Sequence, residues 1–354
     1  MTYGPTESKE ILQSSKRQVA MVIDLSKCMG CQTCTVACKT LWTNENGKQH
    51  MRWMNVSTHP GKGYPRDWQN KGGGFTKGKP NPGKQLSLAD CGDVLRLDKD
   101  EALWGGKGQS VHVQPLTANG ETPQWGYNWD EDQGGGKFPN GYFLYLPKLC
   151  NHCSNPPCLQ SCPRNTLYKR EEDGIVVLDQ SRCAGYRYCV EACPYGAIYF
   201  NPISEASEKC IFCYPRIEKG VTTACSRQCP GRTRHVGFLD DKTSNVYKLV
   251  KEYKVALPLH PEYGTKPNVY YIPPLSAQAF APDGSLSGDR RIPIEYLEGM
   301  FGPAVHRAME TLESELAKKR NRQPSKLMDI LITREWIKMF SVFDKSPVDI
   351  AETR

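Results

Sequence analysis

The chain has 354 residues, a formal net charge of +8 and 16 cysteines. No stretch approaches the roughly 18 consecutive apolar residues of a membrane-spanning helix, so the sequence predicts none. Residues 1–18 are polar and contain neither an apolar signal core nor a twin-arginine pair. We therefore expect no export signal in this chain.

The predicted elements before residue 146 are one strand and a long loop region. Residues 19–26 form a β-branched run that predicts a strand leading into Cys28. Residues from about 40 to 145 are rich in Gly, Trp, Pro and Asn. Their glycine runs lack the G-x-x-x-x-G-K-[ST] spacing of a phosphate-binding loop, so we interpret them as loops.

Most cysteines lie between residues 147 and 230, where residues 174–179 predict a further strand. No cysteine follows residue 240, and two helical stretches are predicted there, at about 294–320 and 325–341. In the second stretch, apolar residues at helical spacing predict core packing rather than a partner surface: Leu327, Ile330, Leu331 and Ile337.

Fifteen cysteines fall into four groups, and Cys91 alone lies outside them, as a predicted structural thiol. Disulfide partners need Cα atoms about 5.5 Å apart with suitable directions. Four cysteines within the segment 28–38 suit a metal better than a disulfide framework.

The chain contains an internal repeat. IDLSKCMGCQTCTVAC (23–38) aligns without gaps with LDQSRCAGYRYCVEAC (178–193), except that Cys31 faces Tyr186. A weaker pair relates residues 148–163 to residues 208–230. The order of segments is therefore A, B, A′, B′, and each A/B pair predicts one two-cluster unit.

The spacing within the groups predicts iron–sulfur clusters. Cys28, Cys31, Cys34 and Cys38 have the C-x2-C-x2-C-x3-C spacing of bacterial ferredoxins. The other groups are variants of it: Cys150, Cys153, Cys158 and Cys162; Cys183, Cys189 and Cys193; Cys210, Cys213, Cys225 and Cys229. Taken alone, the last group also suits zinc, so a zinc-stabilised binding module is the alternative function.

In such runs the fourth cysteine binds the other cluster of its pair. This rule and the repeat predict three [4Fe–4S] clusters, with the ligands Cys28, Cys31, Cys34 and Cys229; Cys38, Cys210, Cys213 and Cys225; Cys150, Cys153, Cys158 and Cys193. The remaining thiols predict a [3Fe–4S] cluster held by Cys162, Cys183 and Cys189.

Tyr186 is predicted to be a non-ligand at the open corner of that last cluster. A corner without a thiolate holds its iron weakly, and the change of cluster type and charge makes this the cluster expected to be most oxidising. The alternatives are ligation by the Tyr186 oxygen or a water on a fourth iron. His152 is predicted to form a loop hydrogen bond rather than to bind metal.

The positive charge also suits nucleic-acid binding. However, an oxidised cluster with its thiolates carries about −2, so four clusters offset the excess. Lys27, Arg182 and Lys209 lie beside cysteines and fit this role. The sequence has no dinucleotide fingerprint and no acid–base constellation near the cysteines, so we expect no enzyme activity from this chain alone.

The four runs, with segments such as CNHCSNPPC, CVEACPY and EKCIFCYPRIEKG, resemble the β subunits of dimethyl sulfoxide reductase-family molybdoenzymes. The segments HMRWMNV and WGYNWDEDQGGGK are similar to those of ethylbenzene dehydrogenase and steroid C25 dehydrogenase β subunits. The resemblance extends to the β subunits of dimethyl sulfide dehydrogenase and of the selenate, chlorate and nitrate reductases.

The resemblance implies a molybdopterin-containing α subunit and a haem b γ subunit, between which this chain relays electrons. It implies a hydrocarbon or steroid hydroxylating dehydrogenase, with a selenate-, chlorate- or nitrate-type reductase as the alternative. It also implies export to the periplasm together with the α subunit, with the cytoplasm as the alternative.

The predicted fold class is α+β, with two ferredoxin-like units. Residues 1–40 and 201–240 are the halves of unit 1, and residues 146–200 are unit 2. Residues 41–145 are a loop-rich insertion, and residues 241–354 a partly helical C-terminal extension that docks on partner subunits.

Overall fold

The chain combines short helices with mostly antiparallel strand pairs, as expected for an α+β fold. The structure is a computed structural model that describes residues 15–48, 50–61, 134–333 and the backbone of 75–76 and 79–80. The strands are β1 (Val19–Asp24), β2 (Met54–His59), β3 (Phe75–Thr76), β4 (Lys79–Pro80), β5 (Leu144–Leu149), β6 (Leu167–Lys169), β7 (Val176–Leu178), β8 (Ile198–Asn201), β9 (Ala206–Lys209), β10 (Arg234–Phe238), β11 (Leu257–Pro258), β12 (Val269–Ile272), β13 (Gln278–Phe280) and β14 (Leu286–Arg290). The helices are α1 (Thr33–Trp42), α2 (Pro157–Gln160), α3 (Tyr188–Ala192), α4 (Tyr214–Ile217), α5 (Ala224–Arg227), α6 (Asn245–Tyr247), α7 (Ile294–Phe301), α8 (Ala304–Arg320) and α9 (Lys326–Ile332).

Strand β1 lies inside a four-stranded sheet with the order β10-β1-β12-β11. It pairs antiparallel with β10 and parallel with β12. All six residues of β1 are buried, as expected for a strand covered on both faces. The strand predicted at 19–26 is confirmed.

Antiparallel strand pairs lead directly into the cysteine loops. β5 pairs with β2 and ends beside Cys150, and β9 pairs with β8 and ends beside Cys210. β7 pairs with β6 and confirms the strand predicted at 174–179. Each loop therefore begins from a backbone that is fixed by strand hydrogen bonds. β2 lies inside the segment that was predicted to be loop-rich, so this segment also supplies a strand.

Part of the predicted C-terminal extension belongs to the central sheet. β12 pairs residue by residue with β1, including Ile23 with Tyr271, and β11 pairs with β12. The Tyr271 hydroxyl donates a hydrogen bond of 2.8 Å to the Pro147 carbonyl. Two strands of two and four residues show no usable periodicity, which is why the sequence pattern did not predict them.

The first predicted C-terminal helix, at 294–320, is two helices. The chain breaks at Gly302, where φ is 73° and ψ is 178°, and Pro303 follows. The second stretch forms α9, which ends at Thr333 in a left-handed conformation. Leu327 and Leu331 are buried, so core packing is confirmed for them, whereas Ile337 lies outside the described residues.

The break predicts a matched pair of glycine substitutions. Gly302→Ala should lower the free energy of unfolding by about 1–3 kcal/mol, because only glycine adopts this backbone conformation readily. The new Cβ would also lie 2.9 Å from Pro261 Cγ. Gly299→Ala, inside α7 with no atom within 4 Å of the new Cβ, should raise it by about 0.5–1 kcal/mol. Thermal unfolding of the cluster-loaded protein checks both, and equal midpoints for the two variants would contradict the prediction.

Candidate metal centres

The two halves of the gapless repeat, loop A (residues 23–38) and loop A′ (residues 178–193), have the same backbone geometry. Asp24 and Asp179 each accept a hydrogen bond from the backbone N–H of the serine two residues later, at 2.9 and 3.0 Å. Gln32 and Arg187 precede α1 and α3 in left-handed conformations, with φ of 58° and 61°. The loop that contains Tyr186 is therefore built like the loop that contains the ligand candidate Cys31.

Tyr186 lies at the surface of loop A′. It is 56% exposed, and its ring centroid is 6.2 Å from that of Tyr188. Gly185, before it, has a φ of 69°, and a Cβ there would lie 2.8 Å from the Glu205 carbonyl oxygen. The loop thus keeps the glycine that its turn requires although it lacks the cysteine.

The structure gathers the fifteen described cysteines, all of them free thiols, into four sets. The first set is Cys28, Cys31, Cys34 and Cys229. The second set is Cys38, Cys210, Cys213 and Cys225. The third set is Cys150, Cys153, Cys158 and Cys193. The fourth set is Cys162, Cys183 and Cys189. These sets have the membership predicted from the sequence; that they ligate clusters stays a prediction. Cys91 lies outside the described residues.

The first three sets each line a small cavity. Within the described ranges, no three His, Cys, Asp or Glu side chains lie close enough to hold a single metal ion.

Burial disfavours the thiolate form at several of the cysteines. Burial, with smaller contributions from the thiols of Cys34 and Cys229, raises the pKa of Cys28 to about 11. Burial likewise raises the pKa of Cys189 and of Cys193 to about 11. Because only the thiolate binds metal, cluster binding must displace these protons.

Several donors point at the sulfur atoms. The Trp42 indole N–H donates to Cys213 Sγ at 3.2 Å. A guanidinium N–H of Arg234 donates to Cys34 Sγ, also at 3.2 Å. Hydrogen bonds to the sulfurs are one of the factors that set the reduction potential of an iron–sulfur cluster.

The ring of His152 is buried and forms the predicted loop hydrogen bond. Its Nδ1 accepts the backbone N–H of Val176 at 3.2 Å, which places the proton of the neutral ring on Nε2. Burial lowers the pKa of His152 far below its usual value, and Lys209 and Lys169 lower it further. Among the described residues Nε2 has no partner, and the ring lines the cavity of the third set.

The sets are neighbours in the order first, second, third, fourth, because thiols of successive sets interact electrostatically, and we call this order the row. Burial raises the pKa of Cys34, and the nearby thiol of Cys225, from the second set, adds to this rise. Burial raises the pKa of Cys210 as well, with a contribution from Cys150 of the third set. Cys189 of the fourth set contributes to the raised pKa of Cys193, again after burial. Each set therefore has the next set as its neighbour.

Buried cations accompany this row. Arg234 and Lys209 are each 2% exposed. Lys209 donates to the carbonyls of Val176 and Cys210. Of the other residues predicted to offset cluster charge, Lys27 is partly buried and interacts with Cys229. Arg182 is exposed and donates to a backbone carbonyl, so we find no support for this role at Arg182. Sequence reasoning missed Arg234, although the segment CPGRTR places it shortly after Cys229.

Comparison with known proteins agrees with this geometry. Residues 142–239 match the family model of a 4Fe–4S dicluster domain. The β subunit of selenate reductase from Thauera selenatis is 55% identical over 322 residues, covering 90% of this chain and 97% of the relative. The chain belongs to the β subunits of dimethyl sulfoxide reductase-family oxidoreductases.

Further members of this family are similarly close. The dimethylsulfide dehydrogenase β subunit of Rhodovulum sulfidophilum is 52% identical over 328 residues, covering 92% of this chain and 99% of the relative. The respiratory nitrate reductase β subunit of Haloferax mediterranei is 49% identical over 354 residues, covering 97% of this chain and 99% of the relative. The chain is thus an iron–sulfur electron-transfer subunit and not a catalytic subunit. Among the helices of the described residues, none has the length and hydrophobicity of a membrane span.

The indole hydrogen bond predicts a shift in reduction potential. Trp42→Phe removes the donor to Cys213 and should lower the potential of the cluster at the second set by roughly 30–60 mV, up to about a tenfold change in its electron affinity. Trp53→Phe is the matched control, because Trp53 lines the same cavity and its indole N–H has no partner in the described part of the chain. Redox titration followed by electron paramagnetic resonance (EPR) measures both. An equal shift of the reduction potential in the two variants would show that packing, and not the indole hydrogen bond, causes the change.

Proposed function

We propose that the chain relays single electrons through four iron–sulfur clusters arranged in a row. The observation that carries the proposal is that fifteen thiols form four sets, each next to the following one. The clusters supply the one-electron chemistry, and the chain supplies ligands, spacing and polarity.

The first, second and third sets would each hold a [4Fe–4S] cluster. The thiol-lined cavities and the buried cations fit such a group, because a cluster brings several negative charges that need compensation. The matching A and A′ loops support two ferredoxin-like units. Residues 1–40 and 201–240 would then form unit 1, residues 146–200 would form unit 2, and residues 41–145 the insertion between them.

The fourth set would hold a [3Fe–4S] cluster. Loop A′ keeps the backbone of a ligand loop, but an exposed tyrosine stands where the thiol is needed. Three thiols then remain for four iron corners, and the fourth iron is lost.

The two ends of the row carry exposed apolar side chains that suit partner subunits. Near the first set, Met29 and Val36 are 58% and 61% exposed. Near the fourth set, Tyr186 lies beside Tyr188, and Ile203 in the β8–β9 turn is 67% exposed. We assign the first end to a molybdopterin-containing α subunit and the second to a haem b γ subunit, in keeping with the family resemblance. The segment after β10 would contribute to this docking.

The substrate is chosen outside this chain. Segment similarity favours a hydrocarbon or steroid hydroxylating dehydrogenase, whereas the relatives above are named for selenate, dimethyl sulfide and nitrate. Assays of the co-purified complex with an alkylbenzene or sterol plus an acceptor, and with selenate or nitrate plus a reduced dye, separate these classes. We place the complex in the periplasm, and fractionation of cells for the β subunit tests this location.

The central test is EPR of the purified complex during stepwise reduction. The oxidised sample should show a [3Fe–4S] signal, which coupled [4Fe–4S] signals replace as reduction proceeds. If the oxidised sample contains abundant iron but shows no EPR signal, the fourth set does not hold a [3Fe–4S] cluster. If the sample contains zinc and shows no EPR signal at any stage of reduction, the proposed electron-transfer function is wrong.

Two substitutions test the role of Tyr186. Tyr186→Cys restores the fourth thiol and should convert the [3Fe–4S] signal into a fourth [4Fe–4S] signal at lower potential, because cluster type and charge change together. Tyr186→Phe removes only the phenol oxygen and should leave the three-iron signal unchanged. A changed signal in Tyr186→Phe would show that the phenol takes part in ligation.

A further inference from the structure

Arg234 is a buried cation between the first two thiol sets. It begins β10 and is 2% exposed. One guanidinium N–H donates to Cys34 Sγ at 3.2 Å, and another donates to the Thr233 hydroxyl at 3.3 Å. The guanidinium also interacts electrostatically with Cys28 and Cys229 of the first set and with Cys225 of the second.

In the described part of the chain, no carboxylate accounts for this charge. Within the described residues, the salt bridges do not include Arg234, and its Nε–H has no hydrogen-bond partner. A guanidinium is always protonated in proteins, and burying an uncompensated charge costs several kcal/mol. The groups within reach that can balance it are cysteine sulfurs and what they bind.

The sheet fixes the direction of this side chain. Arg234 pairs with Ile23 on β1, and Ile23 pairs with Tyr271 on β12, so the three side chains share one face of the sheet. Met21 lies on that same face and lines the cavity of the second set. His235 points to the opposite face, where burial, with a smaller contribution from Lys27, lowers its pKa to about 3.

We propose that Arg234 is the shared counter-ion of the first two clusters and holds both reduction potentials high, that of the first cluster most strongly. This inference rests on the proposed electron relay. Reduction adds one negative charge to a cluster, and a fixed positive charge nearby stabilises the reduced form. The effect is largest for the first set, because three of its thiols interact with Arg234 and one accepts its hydrogen bond.

The same charge weakens the repulsion between the two clusters. The thiols of Cys34 and Cys225 already affect one another, so an electron on one cluster disfavours an electron on the next. A cation between them reduces this penalty. Arg234 would therefore act as a positioning and tuning residue, without taking part in ligation.

Three substitutions separate charge from hydrogen bonding. Arg234→Lys keeps the charge, Arg234→Gln keeps a donor without the charge, and Arg234→Met keeps neither. In a redox titration of the complex followed by EPR, the potential of the first cluster should decrease in the order wild type, Lys, Gln, Met. For Arg234→Met we expect at least a tenfold loss in the equilibrium constant for reduction, which is about 59 mV for one electron.

His235→Leu is the matched control, because it alters the next buried residue of the same strand on the other face. It should leave both potentials unchanged. If His235→Leu shifts them as Arg234→Met does, or if Arg234→Met equals wild type, the inference is overturned while the relay stands. If the wild-type complex itself shows no cluster signals, the proposed electron relay is wrong, and the proposed role of Arg234 falls with it.

A measurement on the unaltered chain covers the case in which Arg234→Met does not assemble. Complex containing arginine labelled with ¹⁵N in the guanidinium should show a nitrogen hyperfine coupling on the reduced first-cluster signal. Arg234→Lys, labelled in the same way, should lack that coupling. A wild-type spectrum without any ¹⁵N coupling would overturn the inference.

Discussion

Sulfur atoms from distant parts of the chain must meet around one small space, and the rest of the fold serves this requirement. Cys34 and Arg234 are separated by 200 residues and lie in hydrogen-bond contact. The pairing of β1 with β10 makes this possible, because one strand leads into the Cys28 loop and the other follows Cys229. The segments between them supply the other cysteine loops, which begin from strand pairs of their own.

Charge is the second constraint. The four proposed clusters would be anionic neighbours that repel one another, and a low-dielectric interior would strengthen that repulsion. The chain places Arg234 beside the first and second sets, and Lys209 interacts with Cys158 of the third set and Cys210 of the second. A basic net charge that resembles that of a nucleic-acid-binding protein is therefore in part an internal counter-charge. Exposed residues such as Arg182 contribute little to it.

The sequence predicted what depends on local spacing. The cysteine runs, the A/A′ repeat and the strand before Cys28 follow from short patterns, and the structure brings the thiols together in the predicted sets. Arg234 was missed because nothing in the local sequence marks a lysine or arginine as buried. β11 and β12 were missed because a strand of a few residues owes its existence to its partners. The helix break at Gly302 was missed because the apolar pattern continues across it.

The position of Cys229 beside loop A has a consequence for biosynthesis. Loop A is synthesised before the other cysteine loops, yet Cys229 and Arg234 complete the lining of its cavity. The thiols at 150–193, by contrast, come from one continuous stretch and are complete much earlier. Synthesis from the N-terminus therefore completes the cavities of the third and fourth sets before those of the first and second. The thiols of loop A therefore stay exposed on the nascent chain through most of its translation. Protection from oxidation matters most for this loop, because it is the first of the cysteine loops to be synthesised.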